Sequence, residues 1–464
     1  MPISPARAAA FDILLKVERA DAYASDLLHS RCVQLFSIDR ALSTELVMGV
    51  LRWRSWLDER IASCASQPLA KLDAEVLTAL RLAAYQLEFL ERVPQRAAVH
   101  ESVELVKRGR KKSAAAFVNA VLRKMADHPG SAPQTLRSGK LDRPDREPPQ
   151  RTRRSLDAIC SARTGGELSH ASAHPAWLVE RWVANFGLDA ARKICEHDQR
   201  VPQTSVRIAA GTLNQAELEG ARLAPGRLVA AAKRVESGDV TATKAFQLGR
   251  IAIQDEASQL VALLVGHGTN ILDCCAAPGG KTRLIADKNP DARILALELH
   301  PHRASALRKL VSAQNVRVIV GDARELPSNA RFDCILADAP CSGTGTLARN
   351  PEIKWKLRSG DLADLRSRQL AILQSAMAHL QPGGRVVYAT CSLEPEENEQ
   401  VVEKALASDG SCNLLDCRAE LEKLRLQGEL IWPDVSSLIR GVYLRTIPGV
   451  HPCDGFFATI IGRT

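Results

Sequence analysis

Apolar residues recur at three- and four-residue spacing through the first 128 residues of the chain. Pro94 separates the second of these apolar stripes from the third, because proline ends a helix. The pattern predicts an all-helical bundle over residues 1–128, with short connections between its helices. The stripes are formed by Phe11, Leu14 and Leu15; by Val76, Ala79, Leu80, Ala83 and Leu87; by Val99, Val103 and Val106; and by Phe117, Val121 and Leu122.

The pattern changes twice in the middle of the chain. Residues 129–171 are rich in Pro, Gly, Ser, Arg and Asp and have little apolar periodicity, which predicts a flexible basic linker. Residues 172–253 begin with an amphipathic helix pair, which Gly187 interrupts, and continue with short apolar runs typical of strands. We therefore expect a small α+β subdomain over 172–253.

Strand and helix patterns alternate from residue 254 to residue 464. Such alternation predicts a parallel sheet wrapped by helices, an α/β Rossmann-like domain. Ligands of these sheets bind at the carboxyl ends of the strands. The predicted strands are 270–274, 294–298, 316–321, 333–337, 385–389 and 456–461.

Composition narrows the class of protein. The chain has 464 residues, of which 45% are hydrophobic and 25% are charged, as in ordinary globular proteins. No apolar run is long enough to span a membrane, and the N-terminus does not resemble a secretory signal, so we expect a cytoplasmic protein. The 12 cysteines include no Cys-x-x-Cys pair, and we expect no metal site. We also expect a monomer.

Positive charge is concentrated in two places. The net charge is +9, and residues 107–112 contain five cations. Residues 131–154 contain seven cations and three acids. Such runs are typical both of solvated surface and of contact with a polyanion such as RNA, and composition leaves the two readings open.

The run "CCAAPGGKT" at 274–282 ends like a phosphate-binding P-loop. A P-loop requires a second glycine five positions before Gly280, and this chain has Cys275 there. Pro278 also removes one backbone donor from the loop. The run therefore argues against a nucleoside triphosphatase.

Acidic residues follow four successive predicted strands: Asp273, Glu298, Asp322 and Asp338. A carboxylate at the second strand is placed to hold two ribose hydroxyls, and one at the third can accept a hydrogen bond from adenine. The helix that follows residues 275–280 favours an anionic group at its N-terminus. Any one acid is often only a helix cap, but four in order suit a neutral or cationic nucleoside.

Two cysteines follow the fourth and fifth predicted strands, namely Cys341 after "DAP" and Cys391 after "YAT". Two thiols beside a cofactor site suit methylation of the C5 carbon of a pyrimidine. One thiolate adds at C6, C5 then accepts a methyl group from S-adenosylmethionine, and a base removes the C5 proton. The residues alone do not decide which thiol attacks.

The motifs "DCCAAPGGKT" (273–282), "DAPCSGTGT" (338–346) and "ATCSLEPEENE" (389–399) resemble those of the Sun-type (RsmB) bacterial ribosomal RNA cytosine-C5 methyltransferases. "RNPEIKWKL" (349–357) and "DGFFATII" (454–461) resemble further family signatures, so the similarity covers nearly the whole chain. Residues 1–128 resemble the NusB-type RNA-binding domain. The resemblance implies a class I S-adenosylmethionine-dependent methyltransferase domain at 254–464.

The resemblance also implies roles for individual residues. Cys391 corresponds to the attacking nucleophile, Cys341 to the cysteine that helps release product, and Asp338 to a residue that contacts both cofactor and target base. The implied substrate is one cytosine of 16S rRNA, free or in an assembly precursor. The implied cofactor contacts are Cys275, Ala276, Ala277, Pro278, Gly279, Gly280, Lys281, Glu298, Asp322 and Asp338.

Some features depart from the family or admit another function. Glu298 and Asp198 stand where relatives often have Asp and Asn. A transfer RNA methyltransferase of the same chemistry and a non-catalytic RNA-binding factor remain as alternatives; the helical domain argues against the first and the intact cysteines against the second. Arg349, Lys354 and Lys356 are candidate phosphate contacts, with a solvated loop as the alternative.

Overall fold

The computed structural model describes residues 3–20, 22–128, 150–209, 213, 215–311, 313–327 and 329–464, and the side chains of 150–155 and 215 are left aside. Within these residues the helices, numbered in chain order, are α1 Pro5–Arg19, α2 Ala24–Arg31, α3 Ser37–Arg52, α4 Arg54–Ala62, α5 Ala74–Phe89, α6 Gln95–Arg108, α7 Ala115–Asp127, α8 Gln150–Ser161, α9 Gly165–Ala171, α10 Ala176–Phe186, α11 Leu188–Gln199, α12 Lys244–Gln247, α13 Glu256–Leu264, α14 Gly280–Lys288, α15 Pro301–Leu310, α16 Ile353–Lys356, α17 Asp361–Ala378, α18 Glu399–Ser408 and α19 Cys417–Leu426.

The strands are β1 Ser205–Ile208, β2 Ala221–Pro225, β3 Ala232–Gly238, β4 Ile251–Ile253, β5 Asn270–Asp273, β6 Arg293–Glu298, β7 Val316–Val320, β8 Phe332–Asp338, β9 Leu380–Thr390, β10 Cys412–Leu414, β11 Ile439–Arg440, β12 Tyr443–Thr446 and β13 Phe456–Arg463. Short 3-10 turns lie at Leu69–Lys71, Lys112–Ala114, Gln215–Leu218, Val240–Ala242, Thr344–Thr346, Pro395–Glu397 and Val435–Leu438. The described residues form two compact units, 1–202 with 347–356, and 203–346 with 357–464.

The first unit is a helical bundle around α5. Its predicted stripe is confirmed, since Val76, Ala79, Leu80 and Ala83 are all buried in one apolar core with residues of α1, α3, α6 and α7. Each large aliphatic side chain buried in this way contributes roughly 1.5–3 kcal/mol. Helix α1 begins at Pro5, and proline suits this first position because its missing N–H would be left unbonded there in any case.

The cationic run at 107–112 lies at the end of α6 and in the turn that follows. Three of its cations pair with acids of the same unit. Lys107 Nζ lies 2.7 Å from Glu104, Arg108 Nη2 lies 2.7 Å from Asp12, and Lys111 Nζ lies 3.1 Å from Asp73. Exposed pairs of this kind add little stability and leave the cations accessible, so contact with a polyanion stays a prediction. Residues 131–149 of the second cationic run lie outside the described residues.

Residues 347–356 belong to the helical unit, although in the chain they interrupt the sequence of the second unit. The Lys354 side chain is buried and its Nζ donates to the backbone oxygens of Arg52 (2.8 Å) and Ala173 (3.1 Å). The Trp355 indole donates to Leu51 O at 2.6 Å. Glu352 accepts from the backbone N–H of Ala24 at 2.7 Å.

The prediction that Lys354 contacts phosphate is therefore wrong, whereas the same predictions for Arg349 and Lys356 stay predictions. Lys354 is 2% exposed, and Lys356 Nζ donates to the backbone oxygens of Ala20 and Ala22 at 3.0 and 2.9 Å. Sequence patterns treat a lysine as solvated because isolated ammonium groups are costly to bury. Here backbone oxygens at or near helix ends accept hydrogen bonds from the amino groups of both lysines.

The second unit contains a sheet of nine strands, in the order β11-β12-β13-β9-β8-β5-β6-β7, with β10 also pairing with β13. Strands β7, β6, β5, β8 and β9 are mutually parallel, while β13 and its partners are antiparallel. Helices cover both faces of the sheet and form two separate apolar cores. This arrangement confirms the predicted α/β Rossmann-like class, and the six predicted strands correspond to β5–β9 and β13.

A separate antiparallel sheet, β2-β3-β1-β4, precedes the large sheet in the same unit. The predicted helix pair is α10 and α11, and Gly187 between them has a φ of 82°. These helices lie in the first unit, because the two units divide at residues 202 and 203. The sequence analysis instead grouped the helices with the strands over 172–253.

The prediction of an unstructured linker over 129–171 is corrected for its second half. Residues 150–161 form α8 and residues 165–171 form α9, whose first turn is capped by the Thr164 hydroxyl at 3.2 Å from Glu167 N. The arginines of α8 hid its few apolar positions, and Leu156 and Ile159 are buried. Residues 129–149 lie outside the described part of the chain.

We predict that Lys354→Met changes how the stability of the protein depends on pH. Burial lowers the pKa of Lys354 to about 7. Between pH 7 and 10 this lysine is neutral when folded and protonated when unfolded, so unfolding takes up a proton and a rise in pH stabilises the fold. Below pH 7 both states are protonated and this contribution is constant. The free energy of unfolding of the wild type minus that of Lys354→Met should rise from pH 7 to pH 9, measured by urea denaturation.

Lys356→Met removes a second lysine of α16 and is the matched control. A difference between the wild type and Lys354→Met that stays constant from pH 6 to pH 9 would contradict the prediction.

Candidate functional site

The carboxyl ends of five adjacent parallel strands lie along one edge of the large sheet. Asp273 ends β5, Glu298 ends β6 and Asp338 ends β8. Asp322 follows β7 by two residues. The four acids therefore follow four neighbouring strands, at the edge where such sheets bind ligands.

The turn between β5 and α14 requires a glycine at position 279. Gly279 has a φ of 115°, and a Cβ there would lie 2.5 Å from Leu307 Cδ1 and 2.9 Å from Val311 Cγ2. The peptide bond between Ala277 and Pro278 is cis. The turn delivers the chain into the first residue of α14, where free backbone N–H groups favour a negatively charged group.

The Cys275 thiol is buried among the acids of this edge, and its pKa reflects them. Burial raises the pKa of its thiol well above the ordinary value, and the nearby charges of Cys274, Asp273, Asp338 and Glu298 raise it further. Cys275 belongs to the turn between β5 and α14, residues 274–279, which we call the cofactor turn. The charges of three of the four acids act on its thiol. Its thiol is kept protonated, which suits contact with a ligand better than nucleophilic attack.

Asp273 lies beneath this turn and is 1% exposed. Its Oδ2 accepts a hydrogen bond from Thr282 Oγ1 at 2.7 Å. Burial raises the pKa of Asp273 to about 6, although that hydrogen bond opposes the shift. Among the described residues, Oδ1 of this carboxylate has no hydrogen-bond partner. A buried oxygen without a partner is a place where a bound ligand or water can donate.

Glu298 and Asp322 differ in what already occupies their oxygens. Glu298 is buried and its Oε1 accepts from the backbone N–H of His300 at 2.9 Å. Both oxygens of Asp322 interact with Arg324, and these hydrogen bonds lower the pKa of Asp322. Glu298 Oε1 also lies 3.7 Å from Arg303 Nη1, so both acids have an arginine nearby, and that of Asp322 is the closer.

Lys281 connects the cofactor turn to the end of β8. Its Nζ lies 2.7 Å from Asp338 Oδ2 and 5.0 Å from the centre of the Phe456 ring. Burial alone would lower the pKa of Lys281, but the Asp338 carboxylate outweighs it, and Cys391 and Asp273 raise that pKa further. The ammonium group thus stands between a carboxylate and one of the two candidate thiols.

The two candidate thiols meet in the structure. Cys341 Sγ and Cys391 Sγ are 3.3 Å apart and both are partly buried. The hydrogen bond to Cys391 and burial raise the pKa of Cys341 well above the usual range. This thiol therefore holds its proton and can donate it toward Cys391.

Sequence reasoning missed the polar groups that join the two thiol loops. Ser342 and Ser392 each follow one of the cysteines, and both hydroxyls donate to the buried carboxylate of Glu397. The only signal was the acidic run "EPEENE", which was read as part of a motif and not as a buried carboxylate.

No cluster of His, Cys, Asp and Glu that could hold a metal occurs within the described residues. Nor does any described helix have the length and apolar character needed to span a membrane.

Comparison with known proteins identifies relatives over the whole chain. The family model "16S rRNA methyltransferase RsmB/F" matches residues 260–461, and the NusB family model matches residues 4–127. The probable ribosomal RNA small subunit methyltransferase B of Bacillus subtilis is 33% identical, with 97% of this chain and 96% of that protein covered. The ribosomal RNA small subunit methyltransferase B of Klebsiella pneumoniae is 31% identical, with 92% and 90% covered.

Solved structures share the fold. The crystal structure of PH0851 matches with a TM-score of 0.77 at 21% identity and covers 100% of both chains. A methyltransferase homologue from Pyrococcus horikoshii matches with a TM-score of 0.52 at 24% identity, covering 67% of this chain and 99% of that one.

We predict that Gly279→Ala weakens binding of S-adenosylmethionine, the cofactor that the motifs indicate, by at least about tenfold. A left-handed backbone costs an alanine roughly 1–2 kcal/mol, and its Cβ also collides with α15, so the turn must shift; 1.4 kcal/mol corresponds to tenfold in affinity. Isothermal titration calorimetry measures the effect.

Gly428→Ala is the matched control. Gly428 also has a left-handed backbone, with a φ of 74°, but it follows α19 and a Cβ there would meet no atom within 4 Å. Equal affinities of the two variants would show that the conformation at position 279 does not shape the binding turn.

Proposed function

Because the chain belongs to the RsmB/F family of 16S rRNA methyltransferases, we propose that it methylates the C5 carbon of one cytosine in 16S rRNA through a covalent cysteine adduct. The observation that carries this proposal is the pair of thiols 3.3 Å apart, next to an ammonium–carboxylate pair at the carboxyl ends of the strands. A methyltransferase that acts on nitrogen or oxygen has no need of two thiols, whereas C5 of cytosine requires activation by a nucleophile at C6.

The residues at this sheet edge fit S-adenosylmethionine. The glycine turn leaves no room for a Cβ at position 279, Asp273 has a buried oxygen without a partner among the described residues, and Glu298 is buried at the next strand end. In the proposal, residues 275–281 hold the amino-acid portion, Glu298 the ribose hydroxyls and Asp322 the adenine. For Asp322 this requires that Arg324 move or share the carboxylate. When bound, the cofactor supplies an electrophilic methyl group.

The charges around the thiols favour Cys391 as the nucleophile. Asp338 raises the pKa of Lys281 most, and Cys391 contributes further, so the Cys391 sulfur lies within electrostatic reach of an ammonium group that would stabilise a thiolate. Cys341, in contrast, retains its proton because the hydrogen bond to Cys391 raises its pKa. Of the two sulfurs, the one beside an ammonium group is the stronger candidate for attack, and the resemblance of the motifs assigns the same role to Cys391.

In the proposed steps Cys341 gives up its proton and later accepts the proton from C5 of the cytosine. The Cys391 thiolate forms a bond to C6 while Asp338 hydrogen-bonds the cytosine, and C5 becomes nucleophilic. Once Cys391 is bonded to carbon it no longer shares a hydrogen bond with Cys341 as a free thiol group, and Cys341 releases its proton to solvent, which is the one net proton that the reaction produces. After methylation, Cys341 takes the proton from C5, and the electrons of that bond restore the ring and expel the Cys391 thiolate.

We expect Cys391→Ala to abolish methylation and Cys341→Ala to trap the RNA. Without Cys391 no adduct forms, and the rate should fall by more than about a thousandfold. Without Cys341 the adduct forms but is not resolved. Unmodified 16S rRNA and S-adenosylmethionine are incubated with each variant, 5-methylcytosine is mapped by bisulfite sequencing, and covalent complexes are resolved on denaturing gels.

Cys64→Ala, a cysteine of the helical unit, is the control for loss of a thiol. Methylation that survives in Cys391→Ala would reverse the two thiol roles. Methylation of transfer RNA but not 16S rRNA by the wild type would contradict the proposed substrate.

A further inference from the structure

The Glu397 carboxylate lies buried between the two thiol loops and accepts hydrogen bonds from four neutral donors. Oε1 accepts from the backbone N–H of Ser342 at 2.8 Å and from Gln369 Nε2 at 2.9 Å. Oε2 accepts from the hydroxyls of Ser342 and Ser392, which lie 3.0 Å apart. One side chain therefore joins the residue after Cys341, the residue after Cys391 and helix α17.

The two loops depend on this carboxylate to different degrees. The Ser392 backbone oxygen also accepts from Asn398 Nδ2 at 2.9 Å and from Arg445 Nη1 at 3.2 Å, and neither donor belongs to the Cys341 loop. Ser342, in contrast, uses both its backbone N–H and its hydroxyl on Glu397. Loss of the carboxylate should therefore release the Cys341 loop more than the Cys391 loop.

Hydrogen bonds from the central sheet and from α17 also fix the position of Glu397. The Tyr388 hydroxyl donates to the backbone oxygen of Glu397 at 2.6 Å, and Tyr388 is fully buried on β9. Gln369 Nε2 also donates to Pro340 O at 2.9 Å, immediately before Cys341. The position of the carboxylate is thus fixed by the central sheet and by α17, and the thiol loops are fixed by the carboxylate.

We propose that Glu397 is a positioning residue that holds the Cys341 thiol at reacting distance from Cys391. Glu397 acts through Ser342 and Ser392 and does not itself touch substrate or cofactor. Its negative charge strengthens all four hydrogen bonds, because bonds to a charged acceptor are roughly twice as strong as neutral ones. The part of this inference that concerns product release rests on the proposed function; the part that concerns thiol geometry does not.

The test compares the wild type with Glu397→Gln, in which one carboxylate oxygen becomes an NH2 group and the two serine hydroxyls lose their charged acceptor. The first measurement is the rate at which Cys341 and Cys391 form a disulfide with diamide, which takes up the two electrons and two protons that the thiols release. Mass spectrometry of peptides follows this rate. Because the sulfurs lose their fixed approach, we expect a decrease of about tenfold or more.

The second measurement is the fraction of 16S rRNA trapped covalently during turnover. Because the Cys341 loop is released and the Cys391 loop keeps its other bonds, Glu397→Gln should accumulate adduct and lower kcat by about tenfold or more. The KM for S-adenosylmethionine should stay within about twofold of the wild type, since the cofactor turn lies on other strands. A purely structural defect would lower adduct formation and cofactor affinity together.

Glu403→Gln makes the same chemical change at an exposed position of α18 and is the matched control. If Glu397→Gln fails to fold, Ser342→Ala removes one hydroxyl from the same bridge, keeps the carboxylate and should show both effects in weaker form. Disulfide formation at the wild-type rate in the folded variant overturns the inference. If the wild type makes no 5-methylcytosine, the proposed function fails, and the disulfide rate alone then decides the role of Glu397.

Discussion

The candidate site at the carboxyl ends of the strands depends on the direct parallel pairing of β8 with β9. In this register Asp338 stands opposite Ala389, and Ala339 N donates to Ala389 O at 2.9 Å. Cys341 and Cys391 follow these two residues by only three and two positions, so adjacent strand ends deliver both thiols to one place. Neighbouring strands lie about 4.8 Å apart, which is already close to the separation that two reacting side chains need. The loops only have to complete an approach that the sheet has largely made.

Around that edge the protein arranges charge in a dry environment, where each interaction is stronger than in water. The Lys281 ammonium pairs with Asp338, and Thr282 donates a hydrogen bond to Asp273, whose pKa burial raises to about 6. Holding these groups in advance means that little reorganisation is needed when charge moves during reaction. Burial of these charged groups costs desolvation free energy. The packing of the surrounding strands offsets that cost.

The sequence predicted the features that depend on local order. Acids at successive strand ends and two cysteines after adjacent strands follow from chain order once a parallel sheet is recognised, and the structure brings Asp273, Glu298 and Asp338 together around Cys275. What could not be predicted depends on contacts between distant residues. Glu397 meets a serine 55 residues away, and Lys354 meets a carbonyl oxygen 302 residues away. From sequence alone Glu397 and Lys354 are expected on the surface, because burial of a charged group is costly without hydrogen-bond partners. Those partners are distant in the sequence and cannot be identified from it.

The membership of residues 347–356 in the helical unit bears on the modularity of the protein. A free-standing helical domain cut at residue 202 would retain every helix from α1 to α11, yet it would lack the Trp355 and Lys354 side chains that donate to the backbone oxygens of Leu51 and Ala173. Buried carbonyl groups left without donors destabilise a fold. The N-terminal region of this chain has therefore become a dependent module. If this region were replaced by a helical domain that folds alone, residues 347–356 would lose the backbone oxygens to which they donate. Such an exchange would therefore have to include residues 347–356 as well.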